Sequence, residues 1–492
     1  MWLGPKLKSS TTDASRADPF PGHAVNTSLY ARRRLPAFDG PGKGSARLSQ
    51  CHILNFGFIN PCFYIIRLFA LLLLLTWAAA ATWAQAYGTI KTPTEQDCRL
   101  QGPINSETLV QMALSCSPGQ AGVASRWQSE RERVRAEGRL DDPQVSVMAG
   151  PETFGKDQVA NGYVLDVSQT LPWPGTLALE KEAARSRSNR WEARLDEYQV
   201  GMARDIRRVF ADFRYHRQLL AINREHQQLW EELIDIINIH YANGTASKSS
   251  LIQARQEALS LKEEAIQLKA AIVRDSAKLE QRAGLAPDSE LAEQPLAPAE
   301  PVSLTREAFN DWLAGIQAQP GMEGLQAEQS QTQVQLRLVG KDRLPDLTFK
   351  ARYNSLWQNP DLRWVVGVGL NVPLDFGKRS GKEASLKARN AALEWEQKDL
   401  ANRLRSELIQ AHSHWEEGRE LVQLYRDELL PLAEENMDTA RQAYQSGTSD
   451  FLSLLNAQRQ TLQTQRRAEQ ALRKQSRAMA DLIGAAGLVQ GR

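Results

Sequence analysis

Tyr241-Ala242-Asn243-Gly244-Thr245, followed by Ser250-Leu251 and Ala254, decides the fold because the chain writes it again. The second version is Tyr444-Gln445-Ser446-Gly447-Thr448, followed by Ser453-Leu454 and Ala457. Six positions are identical at a constant offset of 203. Outward from these stretches, Ala283-Gly284-Leu285 recurs as Ala486-Gly487-Leu488, and residues 139–145 recur in outline at 342–347. A period this long is not a solenoid unit. It describes two fused copies of one structural half, the arrangement expected of a chain that builds part of a ring.

Around each stretch the pattern is that of very long helices. From Leu177 to Tyr241 there is no proline, and Ile206, Val209, Phe210, Phe213 and Leu220 step at three and four residues. At 1.5 Å per residue this predicts a rod on the order of 95 Å. The second copy repeats it over 382–444, with Leu408, Ala411, Trp415, Leu421 and Leu424 on the seam and a bend expected at Leu429-Leu430-Pro431. Gly244 and Gly447 suit tight turns with positive φ, after which helices return over 249–282 and 450–483. Shorter helices are expected over 106–137 and 304–339. Such lengths point to coiled-coil pairs.

Four segments read as strands: Gln144–Ala149, Tyr163–Leu171, Asp346–Tyr353 and Trp364–Val372. Phe349, Ala351 and Tyr353 share one face, and Thr348, Lys350 and Arg352 the other, so the sheet has an oily and a wet side. Their lengths approach those of tilted membrane strands. Trp173, Trp357, Trp364 and Phe376 lie at the strand ends. They suit an interfacial aromatic girdle, and equally ordinary hydrophobic packing.

The chain has 492 residues and a formal charge of +2. Residues 1–86 hold nine Lys/Arg against three Asp/Glu, so 87–492 is weakly acidic at about −4 and gives no reason to expect nucleic acid as a partner. Arg67 precedes the apolar run Leu68–Ala81, and Ala84-Gln85-Ala86 offers a small-x-small cleavage pattern. This reads as a leader and signal peptide over 1–86; a single anchor helix is the alternative, for which the run is short. Residues 1–60, rich in Pro, Gly, Ser and Arg, read as a mis-assigned start or a disordered leader. The first copy then spans 87–286, a Pro-rich linker 287–301, and the second copy 302–492. Cys51 and Cys62 precede the cleavage pattern. Cys98 and Cys116 remain in an exported segment, where they form one disulfide or two free thiols.

The order of elements, the duplication and the tip motif resemble the TolC family of outer-membrane efflux proteins. Asp142-Pro143-Gln144-Val145 and Leu344-Pro345-Asp346-Leu347 are similar to the family's leads into its strands, and residues 302–308 to its repeat-start helix. Ser168-Gln169-Thr170-Leu171-Pro172-Trp173-Pro174-Gly175 resembles the heavy-metal (CzcC and CusC-like) branch. The resemblance implies a mainly α fold with a small β part. Long coiled-coil hairpins would form an α-barrel, and four strands per chain would enter a homotrimeric, twelve-stranded barrel in outer-membrane lipid. It implies a passive exit duct working with a periplasmic adaptor (a membrane fusion protein) and an inner-membrane pump of the RND type, with no cofactor. Physics agrees that one chain is not enough, because open strand edges in lipid leave backbone groups unpaired.

In that family the tips close like an iris. By position, Tyr444 matches the gate tyrosine. Ser449, two past Gly447, stands where the prototype has arginine, and Ser250, Ser453 and Asn456 stand where it has carboxylates. Asp450 is the only carboxylate near this tip. It reads either as one member of a three-fold cation-concentrating ring or as a helix N-terminal residue favoured by the dipole. Gly244 and Gly447 mark the surface where an adaptor would dock, Tyr241 belongs to the first tip, and the Tyr444–Asp450 tip is expected to line the constriction. His412 and His414 fall on opposite helix faces, and His226 and His240 lie about four turns apart, which argues against a metal site. No nucleophile elbow or phosphate loop appears, so the chain reads as a non-enzyme. The expected function is an efflux duct for heavy-metal cations. Drug efflux and type I protein secretion are alternatives within the fold, and a periplasmic coiled-coil structural protein is the alternative outside it.

Overall fold

The computed structural model describes residues 98, 100, 102–150, 153, 162–286, 289–297 and 304–490. The chain divides into residues 1–89 and 90–492. All described residues belong to the second unit. The expected leader and signal peptide, Cys51 and Cys62, most of the loop after the first strand and the ends of the linker lie outside the described residues.

The first copy runs α1 (Ser106–Cys116), α2 (Pro118–Ala136), β1 (Gln144–Gly150), β2 (Gly162–Leu171), α3 (Thr176–Ala242) and α4 (Lys248–Ala283). The second runs α5 (Arg306–Ala314), α6 (Pro320–Lys341), β3 (Asp346–Asn354), β4 (Trp364–Asn371), α7 (Lys378–Leu424), α8 (Leu430–Gln445) and α9 (Phe451–Ala485). Mainly helical with one small antiparallel sheet, this is the duplicated order read from the sequence. At 67 residues, α3 is about 100 Å long.

Two breaks depart from the expected helices, a third falls where a bend was expected, and each has a local cause. The helix expected over 106–137 is two helices, because Ser117 is extended and Pro118 restarts the chain as an N-terminal helical residue. The one expected over 304–339 is likewise divided, by a 3₁₀ turn at Gly315–Ala318 and Pro320. The bend expected near Pro431 is a π-turn over Tyr425–Leu429, just ahead of the proline that lacks an N–H. At the start of α1, Asn105 and Thr108 cap reciprocally: the Thr108 N–H donates to Asn105 Oδ1 at 2.7 Å, and the Asn105 N–H to Thr108 Oγ1 at 3.0 Å.

The four strands form one antiparallel sheet in the order β1-β2-β3-β4. The central pair joins the two copies, with Asp166 opposite Arg352 and Val167 opposite Ala351. Helix packing continues that join. α3 lies along α4, α6 and α9, and α9 also packs on α7 and α8. One core cluster joins α1, α3 and α4 through Leu109, Ile206, Phe213, Ile272 and Leu279. A second joins the two hairpins near their tips through Trp230, Leu233, Leu251, Tyr444, Phe451 and Leu455. Burying each large apolar side chain of this kind contributes about 1.5–3 kcal/mol.

The segment between the copies is more than a tether. Leu291 is fully buried in the first cluster, Ile104 pairs with Leu296 in a short parallel bridge, and Arg217 Nη1 donates to the Gln294 carbonyl at 2.5 Å. A disulfide joins Cys98 to Cys116 at the end of α1, with Cα atoms 5.9 Å apart. Closing a loop of this size stabilises a fold by about 3 kcal/mol in the chain-entropy account. Among the described residues no helix is long and apolar enough to cross a membrane.

Candidate gate and channel wall

The two hairpin tips are built by the same bonds. In the first, the Thr245 and Ala246 N–H groups and Thr245 Oγ1 all donate to the His240 carbonyl, at 2.9, 3.1 and 2.9 Å. In the second, the Thr448 and Ser449 N–H groups and Thr448 Oγ1 donate to the Ala443 carbonyl, at 2.9, 3.1 and 3.0 Å. Gly244 and Gly447 both sit at φ +75°, where an L side chain is disfavoured. The motif is therefore a turn whose glycine reverses the chain and whose threonine ties off the last helical carbonyls.

The next residues keep the geometry and change the charge. Ser247 caps α4 by accepting from the Ser250 N–H at 3.1 Å, and Asp450 caps α9 by accepting from the Ser453 N–H at 2.9 Å. Asp450 is exposed, and its bond from Ser453 holds its carboxyl below the usual carboxylate range. It thus acts as the helix cap while its charge faces solvent. Ser453 and Asn456 follow on exposed positions of α9.

Tyr444 departs from the expectation that it lines the constriction. Only 6% of it is exposed. Its ring lies 5.2 Å from His240 and 6.4 Å from Phe451, inside the packing between the two hairpins. Burial pushes its phenol up, and its hydroxyl has no hydrogen-bond partner among the described residues. At the corresponding place in the first copy, Tyr241 is exposed. The motif repeats, but only the second tyrosine has a neighbouring hairpin of the same chain to pack against.

Below the tips the hairpins are held by a polar seam that sequence reading missed. Arg459 pairs with Glu257 and Arg466 with Glu264. Arg473 reaches Asp212 at 2.7 Å, and Arg441 reaches Glu232 at 2.9 Å. Arg459, Arg466 and Arg473 step by seven residues, a coiled-coil interval visible in the sequence once the partner helix is known. Between the first two pairs, buried His226 bridges two glutamines, 2.6 Å from Gln465 Oε1 and 2.6 Å from Gln458 Nε2. Burial lowers its pKa, although the Gln465 bond and nearby Glu225 and Glu264 favour the charged form.

At the far end of the helices the sheet has one oily face. Val145, Val147, Leu165, Val167, Leu347, Phe349, Ala351, Val366, Val368 and Leu370 share it by register. Much of it is bare; Val366 is 81% exposed. Tyr163, Tyr353 and Trp364 line up across three strands at the loop end of this face, with ring centres 5.7 and 5.2 Å apart. Trp357 lies in the adjoining loop, whereas Trp173 and Phe376 lie at the helix end. The four aromatic residues singled out from the sequence therefore divide between the two ends of the strands. On the wet face Arg352 Nε donates to Asp166 Oδ1 at 2.6 Å, and Thr170 meets Thr348 at 3.2 Å.

A second bare surface lies on α4, where Ile252, Leu259, Ile266 and Val273 form an exposed stripe at seven-residue steps. The residues 203 further on from the first two are Leu455 and Leu462. Leu455 is 3% exposed in the inter-hairpin core, and Leu462 packs against that core. Likewise Leu229 of α3 packs on this core while its counterpart, Leu432 of α8, is exposed. At the two stripe positions nearest the tip, Ile252 and Leu259, a surface left bare on α4 is thus covered on α9 by packing between the hairpins. Among the described residues no group of three or more His, Cys, Asp or Glu is placed to hold a metal ion.

Residues 316–488 match the family described as outer membrane efflux protein. The match indicates an outer-membrane protein and supports the outer membrane efflux family for the second copy. The fold over both copies is that of several solved channels. The outer-membrane channel OprN is 16% identical with a TM-score of 0.65, over 78% of this chain and 89% of that one. CusC, whose structures concern folding and transmembrane channel formation, is 14% identical with a TM-score of 0.66, over 79% and 95%. The outer membrane protein VceC from Vibrio cholerae is 18% identical with a TM-score of 0.64, over 78% and 96%. No curated protein matches the chain by sequence.

Proposed function

We propose that the chain is one subunit of a homotrimeric exit duct in the outer membrane of a Gram-negative bacterium, reaching into the periplasm. The carrying observation is the sheet. Its oily face runs across all four strands with Gln169 as a polar member, the outer edges of β1 and β4 have no partner strand among the described residues, and it ends a pair of very long helical hairpins. Oily faces and open edges are tolerable in lipid only when strands close into a barrel. Three chains would supply twelve strands, with the aromatic groups at the two ends as interfacial girdles. The bare stripe on α4 supports closure, since at Ile252 and Leu259 the corresponding residues of the second copy, Leu455 and Leu462, pack between hairpins.

In this reading the duct performs no chemistry and is not an enzyme. A periplasmic adaptor docks at the tips around Gly244 and Gly447, and an inner-membrane pump, of the RND type by resemblance, pushes cargo through. The gate residues are the exposed members of the tips, Tyr241, Asp450, Ser453 and Asn456, with half-buried Ser250 and Ser449 beside them. Three Asp450 carboxylates would concentrate cations at the constriction, and Tyr444 holds the second tip in place from beneath. Heavy-metal cations are the proposed cargo, on the resemblance of residues 168–175; drug efflux is the second reading.

Extraction tests the duct. The protein should leave membranes only with detergent and migrate as three chains; a monomer in the aqueous fraction contradicts the reading. Deletion of the gene tests the cargo. Lowered tolerance to copper, zinc or silver is expected, and unchanged metal tolerance with raised drug sensitivity would replace metals by drugs.

A further inference from the structure

The wet face of the sheet carries an uneven set of charges. Along β2 and β3 it holds Asp346 at the helix end, then Lys350, then the Asp166–Arg352 pair. Asp346 is occupied at the margin, where Oδ1 accepts from the Trp173 N–H at 3.2 Å. It lies four residues from Lys350, about 13 Å along the strand. Such a distance exceeds the screening length of roughly 8–10 Å at physiological salt. Asp166 is a diagonal neighbour of Lys350, but its Oδ1 already takes Arg352 Nε at 2.6 Å. Directly across from Lys350 stand Ser168 on β2 and Gly367 on β4. Gly369, the next β4 residue on this face, lies opposite Thr348. Lys350 is exposed, and no carboxylate pairs with it among the described residues. One carboxylate thus serves two cations at mid-sheet, beside a stretch of β4, Gly367 and Gly369, that offers no side chain on this face.

We infer that Lys350 sets the ionic preference of the duct's exit. The inference rests on the trimeric duct proposed above, because closure of the barrel turns the wet face inward. Three uncompensated ammonium groups would then stand at one level of the lumen. Rings of basic side chains favour anions and oppose cations. The ring lies at the opposite end of the chain from Asp450. Cations gathered at the tips would leave under the pump's drive, whereas cations outside would meet a barrier to passive return.

Planar bilayers under a KCl gradient test this with the full-length protein. In Lys350→Gln the chloride-to-potassium permeability ratio should fall roughly two- to fivefold, and Lys350→Glu should lower it further. Lys350→Arg keeps the charge and should match the wild type. The difference should shrink between 0.1 M and 1 M salt, where the screening length drops to about 3 Å. Conducting variants with an unchanged ratio in both Gln and Glu forms overturn the role of Lys350 and leave the duct standing. A wild-type protein that is recovered as a monomer without detergent and gives no conductance overturns the duct, and the inference with it.

Discussion

α4 and α9 hold the same place in their copies, yet α9 is covered on two faces and α4 on one. Leu455 is 3% exposed where its counterpart Ile252 is 55% exposed. The sequences at the two positions are both apolar, so composition does not separate them. What differs is the neighbour: α9 packs along α3 of the first copy, whereas α4 meets the second copy through side chains, as in the Arg459–Glu257 and Arg466–Glu264 pairs, and leaves Ile252 exposed. The pair teaches that one chain closes one seam between hairpins and leaves a matching apolar site open near the tip of α4; further along, Ile266 and Val273 correspond to Glu469 and Ser476. The tips repeat the lesson on a smaller scale, with one turn geometry carrying a serine cap in the first copy and a charged cap in the second.

The largest effect should come from the seam itself. Leu455→Ala should cost about 2–5 kcal/mol of fold stability in urea titrations of detergent-solubilised protein, because it empties a packed site. Ile252→Ala should change the fold of the single chain by no more than about 0.5 kcal/mol. The pair Ile252→Asp and Leu259→Asp should instead release monomers, read by light scattering. Equal losses of fold stability at both sites would break the comparison.

Next in size are the turns. Gly244→Ala and Gly447→Ala should each cost about 1–2 kcal/mol, since both force a side chain into left-handed backbone. A cost at only one tip would show that the two turns are not equivalent under load.

The closed seam should also respond to acid through His226. Its unfolded imidazole titrates near 6.5, and burial holds the folded value lower. The unfolded chain therefore takes up the proton first. The stability contributed is full above about pH 6.5 and declines as pH falls through the window below it. Gln458, Gln465, Glu225, Glu264 and Arg466 surround the ring and set the depth of that window. Thermal melts should lose this acid dependence in His226→Gln. The corresponding residue of the second copy is Leu429, so the open seam should lack it.

Smallest for stability, yet informative for transport, is the cap exchange. Asp450→Ser should keep the cap and remove the charge, leaving the melting temperature nearly unchanged while lowering cation preference in bilayers. Ser247→Asp should raise it if both tips border the lumen. Because its bond from Ser453 keeps the Asp450 carboxyl ionised, its effect should persist at pH 5 and fade only below about pH 4.

Much of this fold is legible in the residues because local rules and the repeat agree. Gly244 and Gly447 mark the turns, the alternation around Phe349 to Tyr353 marks the sheet, and the offset of 203 carries each reading to the other copy. The breaks at Ser117-Pro118 and Pro320 depart from the single helices expected there, although the prolines that restart each helix are visible in the sequence. Tyr444 was misplaced for another reason. Its burial depends on His240 and Phe451, which belong to two separate helices, and no spacing within the tip reports that. The His226 layer and the arginine ladder are likewise properties of paired helices. Each residue alone looks like a solvated polar position, and only the register between α3, α4 and α9 gives it a partner.

The central claim is that three copies close the seam which one chain leaves open, and that the closed ring conducts. The most direct measurement is reconstitution of detergent-purified wild-type protein into planar bilayers, with the mass of the same particle determined in parallel. A particle of three chains that gives discrete conductance steps is the predicted result. A single chain that stays in solution without detergent, and gives no steps, would contradict it.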